Sequence, residues 1–303
     1  MQGRISAWAR GMRQGLGGLV SGNPGARAYA RRLLAWRTRG LFQSEATFRR
    51  NGFVWTGPTT CSITETIFTT DHYQDARLEE LVGWLRTQPV FDRPVIVNVG
   101  ANLGDLVLPL SRIGKRIIAV EPNPETFARL VRNVRQNGLE AGITCCEVAI
   151  AARPGTARLA AADDPGNSEL EDEAHRRLGF EGQDRVHAVY DVKTSTLDGL
   201  LASVGVPPHD VALVISDTQG FESQVVASGT ALWQCGVPLW VELWPKGLAC
   251  HGGVEAFLDL CGHQFRSVVP ETGIGRPPEP VQHLRTLVER LRDAEFTDAL
   301  LIP

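Results

Sequence analysis

"PVIVNVGANLGDLVLPL", residues 94–110, joins one apolar run to another through two glycines, Gly100 and Gly104. Val95–Val99 is dense in β-branched side chains and reads as a strand buried on both faces. Leu103–Ile113 reads as a helix that stops at Gly114. A strand that meets a helix through a glycine turn opens a βαβ unit, and the glycines bring backbone close to something.

The pattern continues downstream. Arg116–Val120 reads as a second strand. Glu125–Asn137 reads as a helix, with Asn123 and Pro124 suited to the cap and first position and Gly138 beyond its end. Ile143–Val148 reads as a third strand. Residues 151–188 break the rhythm with a polar stretch centred on "DDPGNSELEDEAHRR", and such an insertion is expected to lie over the ligand site. A short strand near Val192, a helix opening at Thr196 and a strand Val211–Ser216 follow. Next come a helix from about Phe221 to Leu232, a strand Val237–Leu243 and a helix around Val254–Cys261. The chain closes with a strand His263–Val269, a helix Val281–Arg292 and a last strand in "FTDALLIP". Alternating strands and helices predict an α/β class with a mostly parallel sheet covered on both faces.

Residues 1–50 hold ten arginines against one acid, Glu45, although the whole chain carries a net charge of -3. The remainder is therefore acidic, which argues against nucleic acid as a partner. The segment "NPGARAYARRLLAWRTRGLF" predicts a helix with two readings. It is either a basic amphipathic helix on an anionic membrane, or a surface helix packing Leu33, Leu34 and Trp36 on the main domain, which is favoured. The expected organisation is a basic helical extension over 1–50 and a main domain over 51–303, with an N-terminal cap at 51–92. The six cysteines form no C-x-x-C and read as reduced thiols of a cytoplasmic protein. No apolar run approaches the ~18 residues of a membrane span, and no signal peptide is expected.

Ligands of open α/β sheets bind at the carboxyl ends of the strands, where the chain order reverses. Three features meet there: the Asn98–Gly104 turn, Glu121 in "IIAVEPN", and "ISDTQGFE" with Asp217 and Glu222. Glu121 follows Gly100 by 21 residues, the separation at which an acid accepts hydrogen bonds from a ribose diol. A pyrophosphate binder wants G-x-G-x-x-G, but Asn102 occupies the middle glycine position. That disfavours NAD and points to S-adenosylmethionine, whose aminocarboxylate tail is smaller.

The chain resembles the FkbM-type family of S-adenosylmethionine-dependent methyltransferases. "VNVGANLGD" is similar to the family's D-V-G-A-N-x-G and "AVEPNPETFARLVRNVRQNGL" to its E-P-x-P helix. "GNSEL" matches a G-N-S loop, "TSTLDGLL" a T-T-L-D segment, "DTQGFE" the D-x-[EQ]-G-x-E turn, and "FTDALLIP" the final strand. The resemblance covers about residues 60–303. It implies a Rossmann-like, seven-stranded sheet with an antiparallel last strand, and methyl transfer mostly to oxygen on sugars and specialised metabolites. Two positions depart from the family: Asn98 replaces its acid, losing a charge that would pair with the cofactor's ammonium or order the loop, and Ile215 replaces its lysine.

The residues expected to hold S-adenosylmethionine are Asn98, Gly100, Asn102, Gly104, Glu121, Asn123, Val148 and Asp217. A hydroxyl acceptor needs a base, for which Asp217, His72 and Glu242 are the candidates. Asn167, Ser168 and Glu222 are expected to reach the acceptor, a small molecule or glycan, although Glu222 also suits a helix N-terminus. No metal site is expected, since Asp217 and Glu242 lack a third ligand and Cys250-His251 lacks a second pair. A non-catalytic module that binds the same cofactor is the alternative function.

Overall fold

Asn23 accepts the backbone N–H groups of Gly25 and Ala26, and Pro24 fills the first turn, so helix α1 (Pro24–Phe42) starts where its sequence directs. A computed structural model describes residues 23–70, 75–164, 166, 168–171, 185–291 and 295–303. In it α1 buries Ala30, Leu33 and Trp36. The Trp36 ring lies 5.8 Å from Phe48 and 5.1 Å from Phe68. The apolar stripe is thus spent on the protein itself. Among the described residues no helix is long and apolar enough to cross a membrane.

Strands β1 (Glu45–Arg50) and β2 (Phe53–Pro58) form an antiparallel hairpin, followed by helices α2 (Ser62–Thr69) and α3 (Asp75–Arg86). The open edge of β2 is closed by side chains. Asn133 Oδ1 accepts from Thr56 N–H at 2.7 Å, and Asn137 Oδ1 accepts from Val54 N–H at 2.8 Å. A buried strand edge requires such partners, and here they fasten the cap to the main domain.

Strand β3 (Val95–Val99) is buried throughout, as its apolar run predicts. The expected helix after it is short: α4 covers only Val107–Leu110 and tightens into a 3-10 turn over Ser111–Ile113. Gly104 at φ 97° and Pro109 inside the segment prevent a longer helix. Strand β4 (Arg116–Val120), helix α5 (Pro124–Gln136) and strand β5 (Ile143–Cys146) complete the first half, with Asn123 capping α5.

The chain then builds strands β6 (Ala149–Ile150), β7 (Gly155–Ala162), β8 (Glu169–Glu171) and β9 (Val186–Ser195). They form a second sheet in the order β6-β9-β7-β8, where a polar insertion and one short strand were expected. Alternation of exposed and half-buried residues along β9 hid its ten-residue length behind polar side chains.

Helix α6 (Leu197–Ser203), strand β10 (Val211–Ser216), helices α7 (Glu222–Ser228) and α8 (Thr230–Gln234) and strand β11 (Leu239–Leu243) follow. The single helix expected over 221–232 is broken at Gly229, where a Cβ would stand 2.7 Å from the Trp233 ring. The end of the chain adds helices α9 (Pro245–Cys250) and α10 (Val254–Gln264), strands β12 (Ser267–Pro270) and β13 (Glu279–Pro280), helix α11 (His283–Arg290) and strand β14 (Thr297–Ile302).

The main sheet has the order β13-β12-β14-β11-β10-β3-β4-β5. β3, β4, β5, β10 and β11 run parallel, and β14 is antiparallel between β11 and β12. Among the described residues this sheet has eight strands where seven were expected, the two-residue β13 lying at its edge. After β5 the chain returns to place β10 beside β3. That reversal opens a crevice at the carboxyl ends of β3 and β10.

Candidate active site

The turn after β3 spends its own donors. The N–H groups of Gly100 and Ala101 both donate to Val120 O, at 3.0 and 2.9 Å, and Gly104 N–H donates to Ala101 O at 2.9 Å. Asn102 N–H donates to Glu121 Oε2 at 2.9 Å, and Leu103 N–H to Asn102 Oδ1 at 2.7 Å. The glycines therefore do not free backbone N–H groups for a ligand, as their spacing suggested. They let protein approach protein: a Cβ on Gly100, at φ 81°, would stand 1.7 Å from Asp217 O, and one on Gly104 would stand 2.9 Å from Leu108 Cδ1. Asn102 holds φ 47°, a conformation that a non-glycine residue keeps only where its surroundings enforce it.

Glu121 ends β4 and lines the crevice. It is buried, and its second oxygen accepts from Asn123 N–H at 2.9 Å. Burial pushes its carboxyl up to about 7, against the pull of those two backbone N–H groups. Asn123 is buried and does not line the crevice. It caps α5 and donates to Ser168 Oγ at 3.2 Å. Ser168 itself lines the crevice, as do Val148, Gly100 and Asn102.

Asp217 follows β10, and its N–H donates to Val99 O at 3.1 Å, tying the two loops together. Gln219, at φ 54°, turns back so that its Nε2 donates to Asp217 Oδ1 at 3.0 Å. Glu222 shapes this turn from below: its Oε1 accepts from both the N–H and the hydroxyl of Thr218 at 2.8 Å. It is 1% exposed and does not line the crevice, where an acceptor contact was expected. Glu242, on β11, lies within hydrogen-bonding reach of Asp217. Burial first, then the charges of Asp217, Glu222 and Asp298, push Glu242 up to about 10. Glu242 therefore keeps its proton and donates it in the bond to Asp217.

The crevice encloses about 900 Å³ of empty space, part of it open to solvent. Three carboxyl groups line it: the buried Asp105 and Glu121 and the half-buried Asp217. Asp105 was not singled out in the sequence, although it directly follows Gly104. Burial, then Asp217 and Glu121, push it up to about 7. Among the described residues no Arg, Lys or His lines this space. Asn98 does not line it either. Its side chain is buried within the sheet at 1% exposure, and neither amide atom has a hydrogen-bond partner among the described residues. His72 and Asn167 lie outside the described residues.

A family model described as "Methyltransferase FkbM domain" matches residues 98–265, more than half of the chain. The chain belongs to the FkbM methyltransferase family. Its methyl donor is S-adenosylmethionine, and the FkbM domain holds every described residue that lines the crevice except Ile63 of α2. Among solved structures, a geranyl diphosphate methyltransferase in complex with SAM has 13% identity and a TM-score of 0.40, over 79% of this chain and 88% of that one. "StiE O-MT residues 961-1257" has 11% identity and a TM-score of 0.34, over 75% and 72%. P. horikoshii TYW2 in complex with MeSAdo has 12% identity and a TM-score of 0.39, over 86% and 70%. No curated protein matches the chain. The family assignment rests on the domain match.

Proposed function

We propose that this FkbM domain methylates a hydroxyl group of a sugar or specialised metabolite, with S-adenosylmethionine in the β3–β10 crevice and Asp217 as the base. The observation that carries the reading is the crevice's acidity: three carboxyl groups, Asp105, Glu121 and Asp217, and no cation among its described walls. S-adenosylmethionine carries a sulfonium and an ammonium against a single carboxylate, so it is net positive and nearby carboxylates stabilise it. A dinucleotide would bring a pyrophosphate into the same acidic space, with every N–H of the 100–104 turn already engaged. The residues present therefore fit the sulfonium cofactor and repel NAD.

Glu121 would take the ribose hydroxyls on the lone pairs left by Asn102 and Asn123. Asp105 and Asp217 would face the cationic end. When bound, the cofactor supplies a methyl on positive sulfur: the C–S bond breaks with its electron pair kept by sulfur as the O–C bond forms. The chain's own contribution is to hold the acceptor in line and receive its hydroxyl proton on Asp217. Burial raises the Asp217 carboxyl above its ordinary range, and the bonds from the Gln219 amide and Glu242 orient it and pull it back down. The alternative, a module that binds the cofactor without turnover, gives those two bonds to Asp217 no task.

The test is transfer of labelled methyl from S-adenosylmethionine to a panel of hydroxyl acceptors. Asp217→Asn is expected to lower transfer by 100-fold or more while still binding S-adenosylhomocysteine. Cofactor binding without transfer to any acceptor would overturn the enzymatic reading. Failure to bind either adenosyl ligand would overturn the site.

A further inference from the structure

Helix α1 presents two faces to two environments. Its buried residues, Ala30, Leu33 and Trp36, lie against the protein. Arg27, Arg31, Ala35, Thr38 and Phe42 recur at intervals of three and four, which sets them in a row along the opposite side, and all five are exposed. The helix holds five arginines and no acidic residue. Phe42, at 83% exposure, is the most exposed large hydrophobic side chain among the described residues, and Tyr29 and Leu41 of the same helix are exposed as well.

Charge is segregated along the chain in the same sense. The first 50 residues carry +9, ten arginines against Glu45, so the remaining 253 carry -12. Glu45 is itself engaged by Arg129 at 3.3 Å and Arg132 at 2.7 Å, both on α5, and so does not offset the arginines of α1. Arg37 pairs with Glu65 at 2.8 Å, which ties α1 to α2 from its inner side.

Cations beside a bare aromatic ring select the partner. An anionic bilayer surface presents phosphate and carboxylate groups to guanidinium ions and, just beneath them, an apolar layer that buries a phenyl ring. A nucleic acid duplex offers the phosphates without that layer. We propose that the outer face of α1 docks this protein on an anionic lipid surface, with Arg27 and Arg31 on the headgroups and Phe42 inserted at the interface. The inner face stays packed on α2, whose Ile63 lines the cofactor crevice, so docking leaves the methyl-transfer site intact.

The full chain is co-sedimented with vesicles of phosphatidylcholine alone and with about 30% phosphatidylserine, at about 0.1 and 0.5 M salt. It is expected to bind the anionic vesicles at low salt, and at least tenfold more weakly when the salt is raised or the phosphatidylserine omitted. Phe42→Ser is expected to weaken binding about fivefold, and Arg27→Gln with Arg31→Gln about tenfold, each with S-adenosylhomocysteine affinity unchanged. Vesicle binding that is unchanged in both variants would overturn the assigned face. Equal binding to neutral vesicles would refute the part played by charge. No vesicle binding, whether or not the chain is retained on a DNA duplex, would overturn the lipid surface as its partner.

Discussion

Glu242 donates its proton in a hydrogen bond to Asp217, across the ends of the neighbouring parallel strands β10 and β11. The bond joins two carboxyl groups that burial would otherwise leave in competition. A charge-assisted bond of this kind is worth about 1.5–3 kcal/mol. Glu242→Gln retains a donor and is expected to keep methyl transfer within about fivefold. Glu242→Ala removes it, should lower kcat about 10- to 100-fold, and should move the acid limb of the pH–rate profile upward by about one unit. Equal losses in the two variants would show that the donor is not what matters.

Gly100 is the tightest point of the site, because the β3 turn lies directly against the Asp217 carbonyl. Gly100→Ala would place a methyl 1.7 Å from that oxygen and must separate the two loops. It is expected to destabilise the fold by about 3 kcal/mol and to abolish cofactor binding. Gly114 has a similar positive φ of 74° with open space around it, so Gly114→Ala should cost only about 1–2 kcal/mol and spare binding. Thermal unfolding and calorimetry of the two variants check the contrast.

Asn98 stands where related sequences carry an acid, yet its amide is sealed in the sheet without partners among the described residues. An unsatisfied buried amide costs about 1–3 kcal/mol. Asn98→Leu, of similar shape, is expected to raise the unfolding temperature and to leave the cofactor's Kd within twofold. A tenfold loss of affinity would mean that Asn98 reaches the ligand.

The sheet was legible because its evidence is local. Val95–Val99 and Val211–Ser216 are unbroken apolar runs, and Asn123-Pro124 caps α5 from adjacent positions. The second sheet was not, since strand β9 alternates half-buried and exposed residues and pairs with β7 across an intervening segment. At the site, Glu121 and Asp217 were found by their places after β4 and β10. Asp105 was missed, and Asn98, Asn123 and Glu222, read as ligand contacts, do not line the crevice. Strand position says which residues end near the crevice. Only the three-dimensional path decides whether a side chain enters it, caps a helix or holds a turn. Gly100 shows the same limit: the sequence marks a close approach but not that its partner is Asp217, 117 positions away in the chain.

The central claim is that buried carboxylates form a site for a cationic cofactor, and proton release tests it most directly. Asp105 and Glu121 lie near 7 in the folded chain, raised from ordinary values of 3.8 and 4.5. Raised carboxyls favour the folded state below about pH 4, and that contribution is lost as pH rises through about 7. The free protein should therefore lose stability over this window, and a cation that needs the ionised carboxylates should restore it. Calorimetric titration with S-adenosylmethionine from pH 5.5 to 7.5, in buffers of different ionisation heat, reads this linkage. Affinity should rise with pH, by up to tenfold per unit for each proton released, and the observed heat should depend on the buffer. Affinity that is flat or falls with rising pH, without proton release, would contradict it.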